Sequence, residues 1–274
     1  MESDYRANAL TLVLLAVSTG LWINLLRQGF RSGWSWPLQP RRDVPWRLWE
    51  AVATIMIVLI CVGAVLQPSA TSKPAVTVPE TSVYQLRDVQ YIALSQAAQL
   101  VLIPMILAIW CPCRWEDFGL RRHGWTTDLQ FALWGVLLAQ LPIQLAAYPL
   151  QSLRAENPHE LLELLKQSGH DWQTLTWVLL EVVVLAPLVE ELLFRVLLQG
   201  SLEREIPAVW AIVLTAIAFA GIHKWVDWLP LFPLALIMGY VYYRRRSYVA
   251  NVVLHGIFNA INLLYAVWIM KIIP

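Results

Sequence analysis

The chain has 274 residues, of which 58% are hydrophobic and only 14% charged, with a formal net charge of +1. Soluble globular domains are about a quarter charged, so the composition excludes a disordered chain and argues for a protein that lives in a bilayer. The near-neutral balance leaves no cationic surplus for nucleic acid, and the three cysteines, Cys61, Cys111 and Cys113, fit neither a disulfide framework nor a zinc-finger spacing.

A helix needs about 20 apolar residues to cross a bilayer. Taken in chain order, eight stretches approach that length: 7–26, 48–66, 89–110, 129–150, 172–189, 207–223, 229–243 and 248–270. The expected fold is all-α, a polytopic membrane helix bundle of about eight transmembrane helices. It forms one integral membrane unit, with N-terminal spans and loops over 1–114 and a core over 115–274. The first stretch reads as a retained anchor rather than a signal peptide, because Glu2 and Asp4 precede it. Arginines gather in alternate loops, at Arg27, Arg31, Arg41, Arg42 and Arg47, then Arg114, Arg121 and Arg122, then Arg204, then Arg244, Arg245 and Arg246. Positive charge marks the cytoplasmic side. Those loops are therefore expected inside and both termini outside, in the plasma (inner) membrane. Tryptophans near the expected span ends, including Trp34, Trp36, Trp46, Trp49, Trp110, Trp115, Trp225 and Trp228, read as interfacial anchors.

Ionisable groups within a span cost about 2.5 to 3.5 kcal/mol each on insertion scales and point to a functional interior. Here they cluster late in the chain. Glu190 and Glu191 lie in an apolar helix followed by Arg195. Glu191 and Arg195 are four apart, on one face, with the acid first, which is the better order for an ion pair. Glu190 points about 100° away and meets Phe194 four residues on, so it has no partner and stays free to accept a proton. The next apolar stretch adds Phe219 and His223, and the last adds Asn251, His255, Asn259 and Asn262 as a polar stripe that must turn away from lipid. A carboxylate, two histidines and an amide are enough to activate a water and to hold the oxyanion formed when that water attacks a carbonyl. Glu181, nine residues before Glu190, falls half a turn off its face on an α-helix and is expected to stand apart.

These residues resemble the CPBP family, the type II CAAX prenyl endopeptidases and bacteriocin-processing (Abi) proteins. The family pattern is E-E-x-x-x-R, then F-x-x-x-H, then H-x-x-x-N or D on successive membrane helices. It reads here as Glu190, Glu191 and Arg195, then Phe219 and His223, then His255 and Asn259. The likeness extends over roughly 115–264, through Asp117-Phe118-Gly119 and Gly239-Tyr240. A common family glycine after the motif arginine is replaced by Val196. The resemblance implies an intramembrane endopeptidase in which Glu190 and His223 activate water, His255 and Asn259 stabilise the oxyanion, and Glu191, Arg195 and Phe219 support them. It implies as partners a peptide or lipidated protein substrate and membrane lipid, with no nucleic acid. Its metalloprotease label raises zinc as a cofactor. The compact H-E-x-x-H spacing is missing, so no metal and no cofactor is the expectation.

Two other readings compete. A non-catalytic scaffold or bacteriocin-immunity protein would retain the motifs for binding or helix packing, and a proton-linked transporter would use them as a relay. The protease reading also carries a geometric tension. In straight upright helices His223 would lie about 24 Å along its span and His255 only about 10 Å along the last one.

Overall fold

The structure, a computed structural model, describes residues 2–32, 43–65, 85–121, 124–156, 159–169 and 171–269. Trp34 and Trp36 lie outside them. Among the described residues every regular element is helical. The long helices are α1 (Glu2–Ser32), α2 (Leu48–Val65), α3 (Leu86–Trp110), α4 (Trp125–Ala147), α11 (Trp225–Arg245) and α12 (Tyr248–Ile269). Between α4 and α11 come α5 (Gln151–Glu156), α6 (Glu160–Ser168), α7 (Trp172–Leu179), α8 (Ala186–Glu191), α9 (Gly200–Glu205) and α10 (Ala208–Gly221).

Among the described residues six helices are long and apolar enough to cross a membrane, not eight. The all-α, polytopic bundle of an integral membrane protein stands, and the count differs for two physical reasons. The expected span at 172–189 is part of a helical run in which α7, α8 and α9 are joined by π-helical segments at Leu180–Leu185 and Leu192–Gln199. The expected span at 207–223 is the 14-residue α10, and the stretch expected at 229–243 lengthens to the 21 residues of α11.

Two apolar cores frame the run. One joins Trp46, Val58, Ile103 and Phe118 to Leu192, Val196 and Tyr248; the other joins Ala132 and Val136 of α4 to Phe194, Phe219, Met238 and Leu254. Val196, the residue in the glycine position, is fully buried in the first core. Trp46 is also fully buried, its ring tilted against Phe118 at 5.2 Å, and is therefore a core residue instead of an interfacial anchor. Trp49, Trp110, Trp115, Trp225 and Trp228 are exposed, as anchoring requires.

The start of α12 is fixed by Gly119, whose φ of 78° is open to glycine and strained for other residues. A Cβ there would meet Tyr248 N at 2.6 Å, while its own carbonyl accepts from that N–H at 3.2 Å. Asp128 receives Arg245 Nε at 2.9 Å and Ser247 Oγ at 2.8 Å, and clamps the α11–α12 turn to α4. One residue on, Arg246 pairs with Glu203 of α9, and the Tyr248 hydroxyl donates to Leu188 O at 2.6 Å. Since Leu188 and Glu203 are about 22 Å apart along a helix, α12 starts part-way up the α7–α9 run, not level with its end.

Candidate active site

The π segments shape the site, and Pro187 helps make them. Proline has no N–H and its ring collides with the carbonyl four residues earlier, so the ladder opens around it. Ala186 N–H reaches Glu181 O, five residues back. The next bond in that pattern would run from residue 187 to Val182 O, and Pro187 cannot make it. Asn259 Nδ2 supplies the donor from α12, at 2.9 Å. Beside it Gly256 faces Val183 O, and a Cβ there would lie 2.9 Å from that oxygen. The opened backbone thus sets how closely α12 approaches.

Above that contact the polar groups converge. Glu191 and Arg195 are both fully buried, and Arg195 Nε lies 3.2 Å from Glu191 Oε2. They touch as an ion pair, although the angle is not that of a hydrogen bond and both Nη atoms lack an acceptor. The guanidinium face rests 5.0 Å over the Phe219 ring. His255 Nδ1 lies 2.9 Å from the other Glu191 oxygen, and His255 Nε2 is 3.9 Å from Glu190 Oε2. Glu190 keeps 21% of its side chain exposed, and its Oε2 is buried without a hydrogen-bond partner. The two adjacent acids therefore differ: Glu191 is held by Arg195 and His255, whereas Glu190 Oε2 has no hydrogen-bond partner and only His255 Nε2 at 3.9 Å.

The tension between the two histidines resolves through Phe219. Its ring centroid lies 4.9 Å from that of His223 and 5.7 Å from that of His255, with Phe194 edge-on at 5.3 Å. His223 stands beyond the end of α10 and folds back, placing Nδ1 2.8 Å from Phe219 O. A carbonyl only accepts, so Nδ1 carries a proton, and in the neutral imidazole Nε2 keeps the lone pair. The raised start of α12 lifts His255 to the level that α10 reaches only at its far end.

Other residues of the stripe divide. Asn251 is fully buried with both amide atoms unpartnered. Asn262 is exposed and turns back to Phe258 O, so the stripe is shorter than the sequence suggests. Glu181 is buried and receives Gln96 Nε2 of α3 at 3.2 Å. Its hydrogen-bond partner is thus on α3 and is none of the motif residues. Gln96 was missed in the sequence because a lone glutamine in a span carries no motif.

Cys111 is buried, with Sγ near Leu107 O, and burial first, then Cys113, pushes its thiol up to about 11. Zinc would need three converging protein ligands. Among the described residues no three His, Cys, Asp or Glu side chains form such a group.

A membrane helix bundle with a charged, aromatic-lined core carried by three of its helices defines the class: an integral membrane protein with a buried polar site. Residues 172–261 match the model of a family described as Type II CAAX prenyl endopeptidase Rce1-like. That stretch is a domain of the Rce1-like, CPBP/Abi family and contains all three motifs; it is shorter than the 115–264 over which the motifs and their echoes suggest likeness. No curated protein and no solved structure matches the chain.

Proposed function

We propose that this protein is an intramembrane endopeptidase that hydrolyses peptide bonds of prenylated CAAX-type or other membrane-associated peptides. The observation that carries the reading is the asymmetry of the two acids: Glu191 is locked to Arg195 and His255, whereas Glu190 keeps an unpaired oxygen beside two imidazoles that share one aromatic ring.

In this reading Glu190 takes a proton from water, with the Nε2 lone pair of His223 as its partner, and the resulting hydroxide attacks the scissile carbonyl. The 3.9 Å between Glu190 and His255 Nε2 exceeds direct hydrogen-bond reach, and a shared water or substrate oxygen bridges such a gap. His255, when doubly protonated, donates from Nδ1 to Glu191 and from Nε2 toward the developing oxyanion. Asn259 spends one amide hydrogen on Val182 O and has a second for the same oxyanion. Glu190 then returns the proton to the leaving amine. Arg195 and Phe219 hold the arrangement in place.

A membrane-level site favours a substrate that reaches it through lipid, hence a lipidated or membrane-bound peptide. Arg204 at the end of α9 and the arginines that end α11 belong on the cytoplasmic side of the plasma (inner) membrane, with both termini outside. The test is mass spectrometry of membrane peptides from cells carrying the wild-type protein or Glu190→Gln. Peptide ends present with the wild type and lost with the variant support the reading; the same products from both reject it.

A further inference from the structure

His223 is the one candidate catalytic group that sits outside regular helix, in the turn between α10 and α11. Its fold-back on Phe219 O depends on where that turn is held. The turn is gripped from outside by the connector that runs from α4 to α7.

Two ion pairs make the grip. Lys224 Nζ, one residue after His223, lies 3.4 Å from Glu160 Oε1 of α6, and Asp227, in the first turn of α11, lies 2.9 Å from Arg154 Nη2 of α5. Their polarity alternates: the connector offers a cation to Asp227 and an anion to Lys224, so the two pairs cannot exchange partners without meeting like charge. α6 is anchored, because Leu164 and Leu165 are buried with Leu175 and Val178 of α7, Val89 of α3 and Leu263 of α12. It holds Glu160 in place. Trp172, Trp225 and Trp228 are exposed at this end and mark an interfacial level, where charges are screened less than in bulk water.

We propose that Arg154 and Glu160 are positioning residues for His223, bracing its turn through Asp227 and Lys224 so that the imidazole stays folded against Phe219. The catalytic meaning of this brace rests on the protease reading above; its mechanical meaning does not. Neither residue touches the reacting groups. Each pair is partly exposed and weak alone, and both act on one short turn.

The test reads the turn directly. His223→Cys is introduced into full-length protein whose other cysteines are replaced, and its labelling by a water-soluble maleimide is timed. Arg154→Gln with Glu160→Gln should speed labelling about fivefold, the effect expected when two partly exposed pairs are lost. Reversing one pair, Arg154→Asp with Asp227→Arg, should restore the original rate, whereas either reversal alone should not. Unchanged labelling in the neutralised variant overturns the brace, and so does an altered rate that the paired reversal fails to correct. With His223 in place, the neutralised variant should lower kcat and leave KM nearly unchanged. If labelling follows the brace and no cleavage that depends on Glu190 exists, the brace stands and the protease reading falls.

Discussion

Pro187 leaves Val182 O without a backbone donor, and the Asn259 side chain supplies a donor. The proline, on the α7–α9 run, lacks the N–H that a five-residue turn would aim at Val182 O, and the asparagine, on α12, delivers a donor to that oxygen at 2.9 Å. A residue that the motif marks for chemistry is thus also the stitch that closes an opened backbone. Asn259→Ala would leave a carbonyl without its partner inside the bundle, at a cost of about 1 to 3 kcal/mol. The lower thermal midpoint in detergent should be partly recovered by adding Pro187→Ala, which gives the backbone its own donor. If Pro187→Ala destabilises the protein equally with and without Asn259, the two residues do not share this bond.

The Glu191–Arg195 pair should respond asymmetrically to mutation. Arg195→Met alone strands a buried carboxylate between His255 and an apolar wall, a change worth about 3 to 5 kcal/mol, and should sharply reduce the monodisperse yield on size-exclusion chromatography. Glu191→Gln with Arg195→Met removes both charges and should recover much of that yield. Equal loss from the single and double variants would show that packing of the guanidinium on Phe219, rather than its charge, is what the fold needs.

The legible part of this protein in its sequence was the part governed by side-chain period and charge. Glu191 and Arg195 pair at the spacing that helices favour, Glu190 is left over, and the apolar stretches give an all-α bundle. What the α-helical period could not reveal follows from Pro187. The π segments beside it change the angle per residue, so faces counted at 3.6 residues per turn do not carry across them, and the run from 172 to 205 is not one uniform α-helix. The meeting of His223 and His255 was hidden for another reason. It depends on the level at which α12 begins, which is set by Gly119, Asp128 and Tyr248 through contacts remote in sequence. Trp46 shows the same limit: adjacency to a span end does not reveal that Phe118 covers it.

Cys111 should behave as an inert thiol. Burial and the neighbouring Cys113 raise its pKa to about 11, and the thiolate is the reactive form. Near pH 8 about one thiol in a thousand is then ionised, and the fraction grows as pH rises toward that value. In a Cys61→Ser background, with the labelled site assigned by mass spectrometry, alkylation of Cys111 at pH 8 should be very slow and should rise roughly tenfold per pH unit up to pH 10, while the fold is monitored by circular dichroism. Rapid alkylation at pH 8 would mean that Cys111 is neither buried nor shifted.

Gly256 sets the separation between α12 and the opened turn that precedes the acids of α8. A Cβ there would stand 2.9 Å from Val183 O, a backbone atom held by its own helix, so the two elements would have to move apart. That displacement would lengthen the Asn259 bond to Val182 O and carry His255 away from Glu190 and Glu191, which it faces from the same helix. Overpacking of this kind costs about 1 to 3 kcal/mol, and the loss of alignment should reduce cleavage more than it reduces folded yield. Gly63→Ala is the matched control, since a Cβ there meets nothing within 4 Å and alanine favours the helix. Gly256→Ala should therefore lower both the thermal midpoint and the cleavage rate, and Gly63→Ala neither; wild-type behaviour of Gly256→Ala in both measurements would show that the close approach of α12 does not govern the site.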